Sequence, residues 1–108
     1  MSEPAKKAAR RYPRIELPKG MLVAWRGGGR QQVSRVRTLA LGGLYITTPN
    51  PPAAGTILSL VFETPGGDVR ARATVRYADA GKGMGIAFMG MGSEGHARLA
   101  RLLKRLLG

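Results

Sequence analysis

Residues 57–77, ILSLVFETPGGDVRARATVRY, consist of two alternating segments joined by a turn, and they decide the fold class. In residues 57–64, Leu58, Leu60 and Phe62 point to one side, and the polar residues between them point to the other. The next segment places Val69, Ala71, Ala73, Val75 and Tyr77 on one face and Arg70, Arg72, Thr74 and Arg76 on the other. The residues between them, PGGD at 65–68, are typical of a hairpin turn. The sequence therefore predicts a β-hairpin with one buried face, Tyr77 included.

Shorter apolar runs bounded by glycine or proline predict further strands. These runs are Met21–Trp25, Val33–Leu39, Leu44–Thr48 and Gly85–Met89. In the second of them, Val33, Arg35 and Arg37 share one face, and Ser34 and Val36 share the other. Trp25, at the end of the first run, is expected in the core or at the rim of the barrel that these strands would form. Since closure removes exposed strand edges, about six short strands in succession favour an all-β fold built on a six-stranded antiparallel β-barrel.

The pattern becomes helical near the end of the chain. Leu99, Leu102, Leu103 and Leu106 follow the spacing i, i+3, i+4, i+7, which predicts an amphipathic C-terminal α-helix at about residues 93–107. We expect this helix to pack on an open end or a side of the barrel. At the other terminus, residues 1–9 (MSEPAKKAA) predict a flexible basic tail, which leaves one domain over residues 10–108.

Composition limits the class of partner. The 108 residues suffice for one modest domain, and 18 Lys and Arg against 6 Asp and Glu give a net charge of +12. Such a charge indicates an anionic partner. The absence of cysteine, of an apolar leader and of a long apolar run leads us to expect a cytoplasmic protein with no membrane span.

Catalytic chemistry has little support in the sequence. The only histidine, His96, lies in the predicted helix, and the six acidic residues are scattered. There is no GxSxG motif and no Walker loop. We therefore expect no enzyme activity, no catalytic residues, no metal site and no cofactor.

Two segments have the composition of an anion site. The first, Arg10-Arg11-Tyr12-Pro13-Arg14, can bring three guanidinium groups together, and such groups pair with phosphates and with the O6 and N7 edge of guanine. A solvated basic tail is the alternative. The second, residues 38–44 (TLALGGL), contains paired glycines that permit close backbone approach to a ligand, although an ordinary tight turn explains them equally.

Taken in order and spacing, these segments resemble the PilZ domain family. Arg10 and Arg14 match its RxxxR motif, and Gly43 matches the last glycine of its [D/N]xSxxG motif. Residues 73–77 (ATVRY) and 83–88 (GMGIAF) and the leucine-rich end agree as well. The resemblance covers residues 10–107 and implies a six-stranded barrel with a C-terminal helix.

The resemblance also implies a ligand, cyclic di-GMP, and a site. Arg10 and Arg14 would grip its phosphates and guanines with help from Arg11, and Thr38, Ala40 and Gly43 would line the other side. Binding would order the N-terminal segment and change a surface that is offered to a protein partner. Thr38 and Ala40 depart from the family's Asp or Asn and Ser, which removes hydrogen-bonding groups worth roughly 2–4.5 kcal/mol.

Three functions follow. The first is a cyclic di-GMP receptor that relays binding to an as yet unidentified protein, as a monomer or a dimer. The second is a degenerate PilZ-like domain that has lost the nucleotide and acts as a protein-interaction module. The third is a basic barrel that binds nucleic acid, which the small number of aromatic residues disfavours: two Phe, one Trp and three Tyr.

Overall fold

The computed structural model describes residues 15–107, apart from the side chains at positions 18 and 19. The tail predicted at residues 1–9 lies outside this range, so the division of the chain into tail and domain stays a prediction. The described chain forms six strands and one helix. They are β1 Ile15–Gly27, β2 Arg30–Ala40, β3 Gly43–Thr47, β4 Ile57–Thr64, β5 Gly67–Asp79, β6 Gly83–Gly90 and α1 Gly92–Leu107.

The six strands form a closed antiparallel barrel in the order β1, β2, β3, β6, β5, β4. The barrel closes where β1 pairs with β4, with Ala24 opposite Val61 and Arg26 opposite Ser59. Every neighbouring pair is antiparallel. The predicted six-stranded antiparallel barrel with a C-terminal helix is therefore confirmed.

The alternating segments of the sequence form the hairpin of β4 and β5. Thr64 pairs with Gly67, so Pro65 and Gly66 form a two-residue connection. Leu58, Leu60 and Phe62 are buried in the barrel core. The faces of β2 also agree with expectation, since Ser34 and Val36 are buried whereas Val33 is 65% exposed.

The prediction that Tyr77 lies in the core is wrong. Val69, Ala71, Ala73 and Val75 are buried, but Tyr77 is 43% exposed. The cause is a β-bulge between Val75 and Tyr77, which adds one residue to β5 and reverses the alternation beyond it. Val75 and Tyr77, which would share a face in a regular strand, therefore lie on opposite faces of the sheet.

The prediction that Trp25 lies in the core or at the rim is confirmed, because its side chain is 1% exposed. Its indole Nε1–H donates a hydrogen bond of 2.9 Å to the Oγ atom of Ser34, which is itself buried. The bond satisfies a donor that would otherwise be buried without a partner. The largest side chain of the core is thereby tied from β1 to β2.

Helix α1 packs mainly on β5, with smaller contacts to β1 and β4. Leu99 and Leu103 are buried and belong to the same core as the barrel residues. Arg98 also donates from Nη1 to the backbone oxygen of Asp68, at 2.7 Å, and forms an ion pair with Glu94. Of the four leucines in helical spacing, Leu106 is the exception, being 43% exposed.

Replacement of Ser34 by alanine should destabilise the barrel by about 1–3 kcal/mol, because it leaves the buried indole N–H of Trp25 without an acceptor. Chemical denaturation followed by tryptophan fluorescence measures this loss. The exposed Ser59 provides the matched control, and Ser59→Ala should change the free energy of unfolding by less than about 0.5 kcal/mol. Equal stabilities of the two variants would contradict a structural role for the bond.

Candidate functional site

Arg10, Arg11 and Arg14, the residues predicted to grip the ligand, lie outside the described residues. The structure does fix where the chain that follows them joins the barrel. Ile15 pairs with Leu39, and Glu16 pairs with Thr38. The RxxxR segment is therefore attached directly beside the second predicted segment, with one peptide bond between Arg14 and Ile15.

The second predicted segment forms the hairpin of β2 and β3. Ala40 pairs with Gly43, so Leu41 and Gly42 make a two-residue turn. Thr38 is half-buried, and Ala40 is 9% exposed. Leu39, between them, points into the core, so the pleat directs Thr38 and Ala40 to the outer side of the barrel.

Gly43 is required by the packing of two backbones. A Cβ atom at this position would overlap the backbone carbonyl oxygen of Ile86 on β6. The left-handed conformation plays no part, because Gly43 is not among the glycines with positive φ. The packing of the barrel therefore explains this glycine without a ligand. The close approach of the β3 and β6 backbones at Gly43 also leaves the outer surface flat there.

A row of small side chains continues from this hairpin across the outer surface. Ala40 pairs with Gly43, Gly43 with Ala87, and Ala87 with Thr74. These residues belong to β2, β3, β6 and β5 in turn. Four adjacent strands thus share a shallow surface that a flat ligand can approach closely.

A second row of cross-strand neighbours runs beside the small residues. It consists of Glu16, Thr38, Tyr45, Gly85 and Tyr77, each opposite the next on the neighbouring strand. The rings of Tyr45 and Tyr77 have centroids 6.3 Å apart and planes inclined by 42°. A Cβ atom on Gly85 would overlap the ring of Tyr77, so this glycine makes room for the aromatic pair.

Two arginines lie in the β-bulges beside this row. Arg37 is the extra residue of β2 between Val36 and Thr38, and Arg76 is the extra residue of β5 just before Tyr77. Both side chains are exposed. The outer face of β2, β3, β6 and β5 thus combines small residues, two aromatic rings and two cations, a composition suited to stacking and to phosphate.

The phenol of Tyr45 is electrostatically perturbed. Burial raises its pKa above the ordinary value of 10.0, and the hydrogen bond from its hydroxyl to Oδ2 of Asp79, 3.0 Å long, raises it further. The charges of Asp79 and Tyr77 act in the same direction, whereas the guanidinium of Arg37 opposes them. Tyr45 is therefore held as a neutral hydrogen-bond donor.

Glu16, Tyr45 and the exposed position of Tyr77 were missed by sequence reasoning. The pairing of Glu16 with Thr38 depends on the register between β1 and β2, which shifts between Glu16 and Met21. Tyr45 lies between Leu44 and Ile46, which are both buried, so the alternation of β3 was the available signal for its outward position.

No helix among residues 15–107 has the length and apolar character needed to cross a bilayer. In the same part of the chain, no three His, Asp or Glu side chains are grouped as metal ligands.

A difference titration tests the environment of Tyr45. The folded pKa exceeds the unfolded value, so the stabilisation from this group is present below about pH 10 and is lost as the pH rises through the folded pKa. Tyrosinate absorbance of the wild type minus that of Tyr45→Phe should show a group titrating above 10.0. Asp79→Asn should lower this pKa, whereas a Tyr45 that titrates at its ordinary value would contradict the geometry.

A family model described as PilZ domain matches residues 8–105. No curated protein matches the sequence of the chain. Among solved structures, the chain is similar to the complex of MrkH with c-di-GMP from K. pneumonia. The two share 14% identity with a TM-score of 0.73, and the match covers 91% of this chain and 51% of MrkH.

Two further structures share the fold. PlzA of Borreliella burgdorferi in complex with c-di-GMP has 14% identity and a TM-score of 0.67, covering 92% of this chain and 44% of PlzA. The PilZ domain of CeSA from a cellulose-synthesizing bacterium has 17% identity and a TM-score of 0.68, covering 89% of this chain and 99% of that one. The chain thus spans about half of the length of MrkH and PlzA and nearly all of the CeSA domain.

Proposed function

The chain belongs to the PilZ domain family, and we propose on that basis that it binds cyclic di-GMP on the outer face of β2, β3, β6 and β5 and relays the binding to a protein partner. One observation carries the proposal. The segment with Arg10 and Arg14 is attached at Ile15, beside the surface that carries Thr38, Ala40 and Gly43. The point at which the first motif joins the barrel therefore lies beside the second motif, which supports a shared site.

The reach of the N-terminal segment fits this surface. The five Cα–Cα steps from Arg10 to Ile15 span at most about 18 Å when the chain is extended. Neighbouring strands are about 4.8 Å apart, so the middle of a four-strand surface lies within roughly 10–14 Å of β1. Arg10 and Arg14 can thus both extend over it, with Arg11 assisting, and pair with phosphates and guanine edges.

The barrel supplies the opposite wall of the site. Ala40 and Gly43 allow the ligand to lie close to the backbone, and the Thr38 hydroxyl offers one hydrogen bond. The exposed ring of Tyr77 offers a stacking surface for a guanine, and Arg37 and Arg76 add positive charge. Since PilZ domains are binding and regulatory domains, no catalytic step is assigned to these residues.

Glu16 provides the carboxylate that position 38 lacks. It is the direct cross-strand neighbour of Thr38, its side chain is exposed, and directly opposed side chains have Cβ atoms about 4.5–5.5 Å apart. A carboxylate one strand away can accept the N–H groups of a guanine edge that an Asp at position 38 would accept. The departure at Thr38 is thereby compensated from β1.

Two structural neighbours support the choice of ligand, since MrkH and PlzA, both of this fold, are complexed with c-di-GMP. We infer the relay from connectivity, because a ligand held by the segment before Ile15 would lie beside β1 and β2 and change the surface there. We place this binding in the cytoplasm, the compartment indicated by the cysteine-free composition.

Isothermal titration with cyclic di-GMP at physiological salt tests the proposal, with GTP as the control ligand. Saturable binding at micromolar Kd or tighter is expected for cyclic di-GMP and not for GTP. Arg10→Ala/Arg14→Ala should abolish it. Arg101→Ala/Lys104→Ala on the exposed face of α1 removes the same charge and should leave it intact. Equal losses in both variants would show a general charge effect and contradict the assigned site.

A double-mutant cycle tests Glu16. Glu16→Gln should weaken cyclic di-GMP binding roughly 10- to 150-fold, the equivalent of a charge-assisted hydrogen bond of about 1.5–3 kcal/mol. Thr38→Asp in the Glu16→Gln background should restore most of the loss. In the wild-type background, Thr38→Asp sets two carboxylates opposite each other and should gain little. Unchanged affinity in Glu16→Gln would remove Glu16 from the site.

A second candidate function rests on Thr38 and Ala40. Ala40 is nearly buried and has no polar side chain to offer a ligand, a property suited to a PilZ-like domain that has exchanged nucleotide binding for protein interaction. The titration separates the two functions. If the folded wild-type protein does not bind cyclic di-GMP at high protein concentration, the interaction module is favoured.

A further inference from the structure

The barrel carries a basic groove on a different part of its outer face. The groove, with a volume of about 1000 Å³, has Ala24 and Val61 on its floor, Arg26, Arg70 and Arg72 on its wall and Met89 at its edge. These residues belong to β1, β4, β5 and β6. None of them belongs to the proposed nucleotide site, so the groove is a separate surface.

The apolar floor continues beyond the groove in one direction. Val33, Ala24, Val61 and Arg70 are successive cross-strand neighbours on β2, β1, β4 and β5. Val33 is 65% exposed, and Leu22, on the same face of β1, is 62% exposed. Met89 adds a flexible apolar side chain that is 59% exposed. Exposed apolar side chains in one cluster, rimmed by charge, mark an interaction surface.

The charge of the groove is of one sign. Arg26 and Arg72 lie in one cross-strand row on either side of Ser59, and Arg70 lies in the next row. Within residues 15–107 the ion pair is Arg98 with Glu94, so none of the three arginines forms a salt bridge with a carboxylate of this part of the chain. Helix α1 begins at Gly92, on the border of the groove, and its N-terminus adds positive potential.

The shape of the groove favours a helix over an added strand or single-stranded nucleic acid. The barrel closes beside the groove, where residues 24–26 of β1 pair with β4, so an added strand finds no free edge there. From β2 to β5 the surface is three strand spacings wide, about 14 Å, which accommodates a helix of about 10–12 Å diameter. Trp25 is buried beneath the floor and offers no ring for base stacking, which disfavours single-stranded nucleic acid.

We infer that the basic groove docks an acidic amphipathic helix of a partner protein. Apolar side chains of that helix would cover Ala24, Val33 and Val61, and its carboxylates would pair with Arg26, Arg70 and Arg72. Arginine is enriched among the residues that contribute most to binding energy at protein interfaces. The inference does not depend on nucleotide binding, since the two surfaces have no residue in common.

A displayed library of peptides of about 14 residues, with apolar side chains at i, i+3, i+4, i+7 and Asp or Glu on the flanks, supplies the probe. Peptides enriched on the wild-type protein should lose at least tenfold in affinity for Arg26→Glu/Arg70→Glu/Arg72→Glu. The milder variant Arg26→Gln/Arg70→Gln/Arg72→Gln should lose affinity to a smaller extent. It provides the test if the triple glutamate variant does not fold. Thermal unfolding confirms that each variant is folded.

Arg101→Glu/Lys104→Glu on α1 serves as the charge control and should retain the selected peptides. Cyclic di-GMP titrated into the Arg→Gln variant should bind as it does to the wild type, so failure of the groove and failure of the nucleotide site are distinguishable. A library without binders, or binders that respond only to the control variant, would overturn the inference. Displacement of the peptides by oligothymidylate at equal concentration would overturn it as well.

Discussion

Closure of the sheet between β1 and β4 is the constraint on which the rest of the structure depends. With Ala24 opposite Val61 and Arg26 opposite Ser59, the sheet closes on itself, and its inner face surrounds one core. A closed sheet must also bend, and the bulges at Arg37 and Arg76 are where β2 and β5 gain an extra residue. Both bulges lie next to the proposed nucleotide site, so the deformation that permits closure also turns Thr38 and Tyr77 outward.

The two proposed surfaces of the barrel adjoin along β5. Arg70 and Arg72, before the middle of this strand, belong to the basic groove, whereas Thr74 and Tyr77 belong to the surface that β5 shares with β6, β3 and β2. Each surface carries cations next to small or apolar side chains, and this arrangement suits two anionic partners of different shape. The net charge of +12 is thus distributed over separate sites of the described barrel and the N-terminal segment.

Sequence periodicity predicted what depends on local alternation. The faces of β4, the first part of β5 and the predicted helix follow from the spacing of their own residues, as Leu58, Val69 and Leu99 show. Features that depend on register between strands could not be predicted in the same way. The proposed role of Glu16 depends on its pairing with Thr38 on another strand, and Tyr77 lies outside the core because the bulge adds one residue to β5. Neither pairing is encoded in a short stretch of sequence.

The order of the strands also has a consequence for biosynthesis. β1 emerges first from the ribosome, yet its second partner, β4, begins at Ile57, and β3 pairs with β6 only after Gly83. The core residues Leu99 and Leu103 come later still. Until they emerge, core side chains of the early strands, such as Val23 and Val36, and the strand edges stay accessible to other chains, as is usual for folds dominated by distant contacts. The nascent barrel therefore exposes apolar surface and unpaired strands until its last strand and helix have been synthesised.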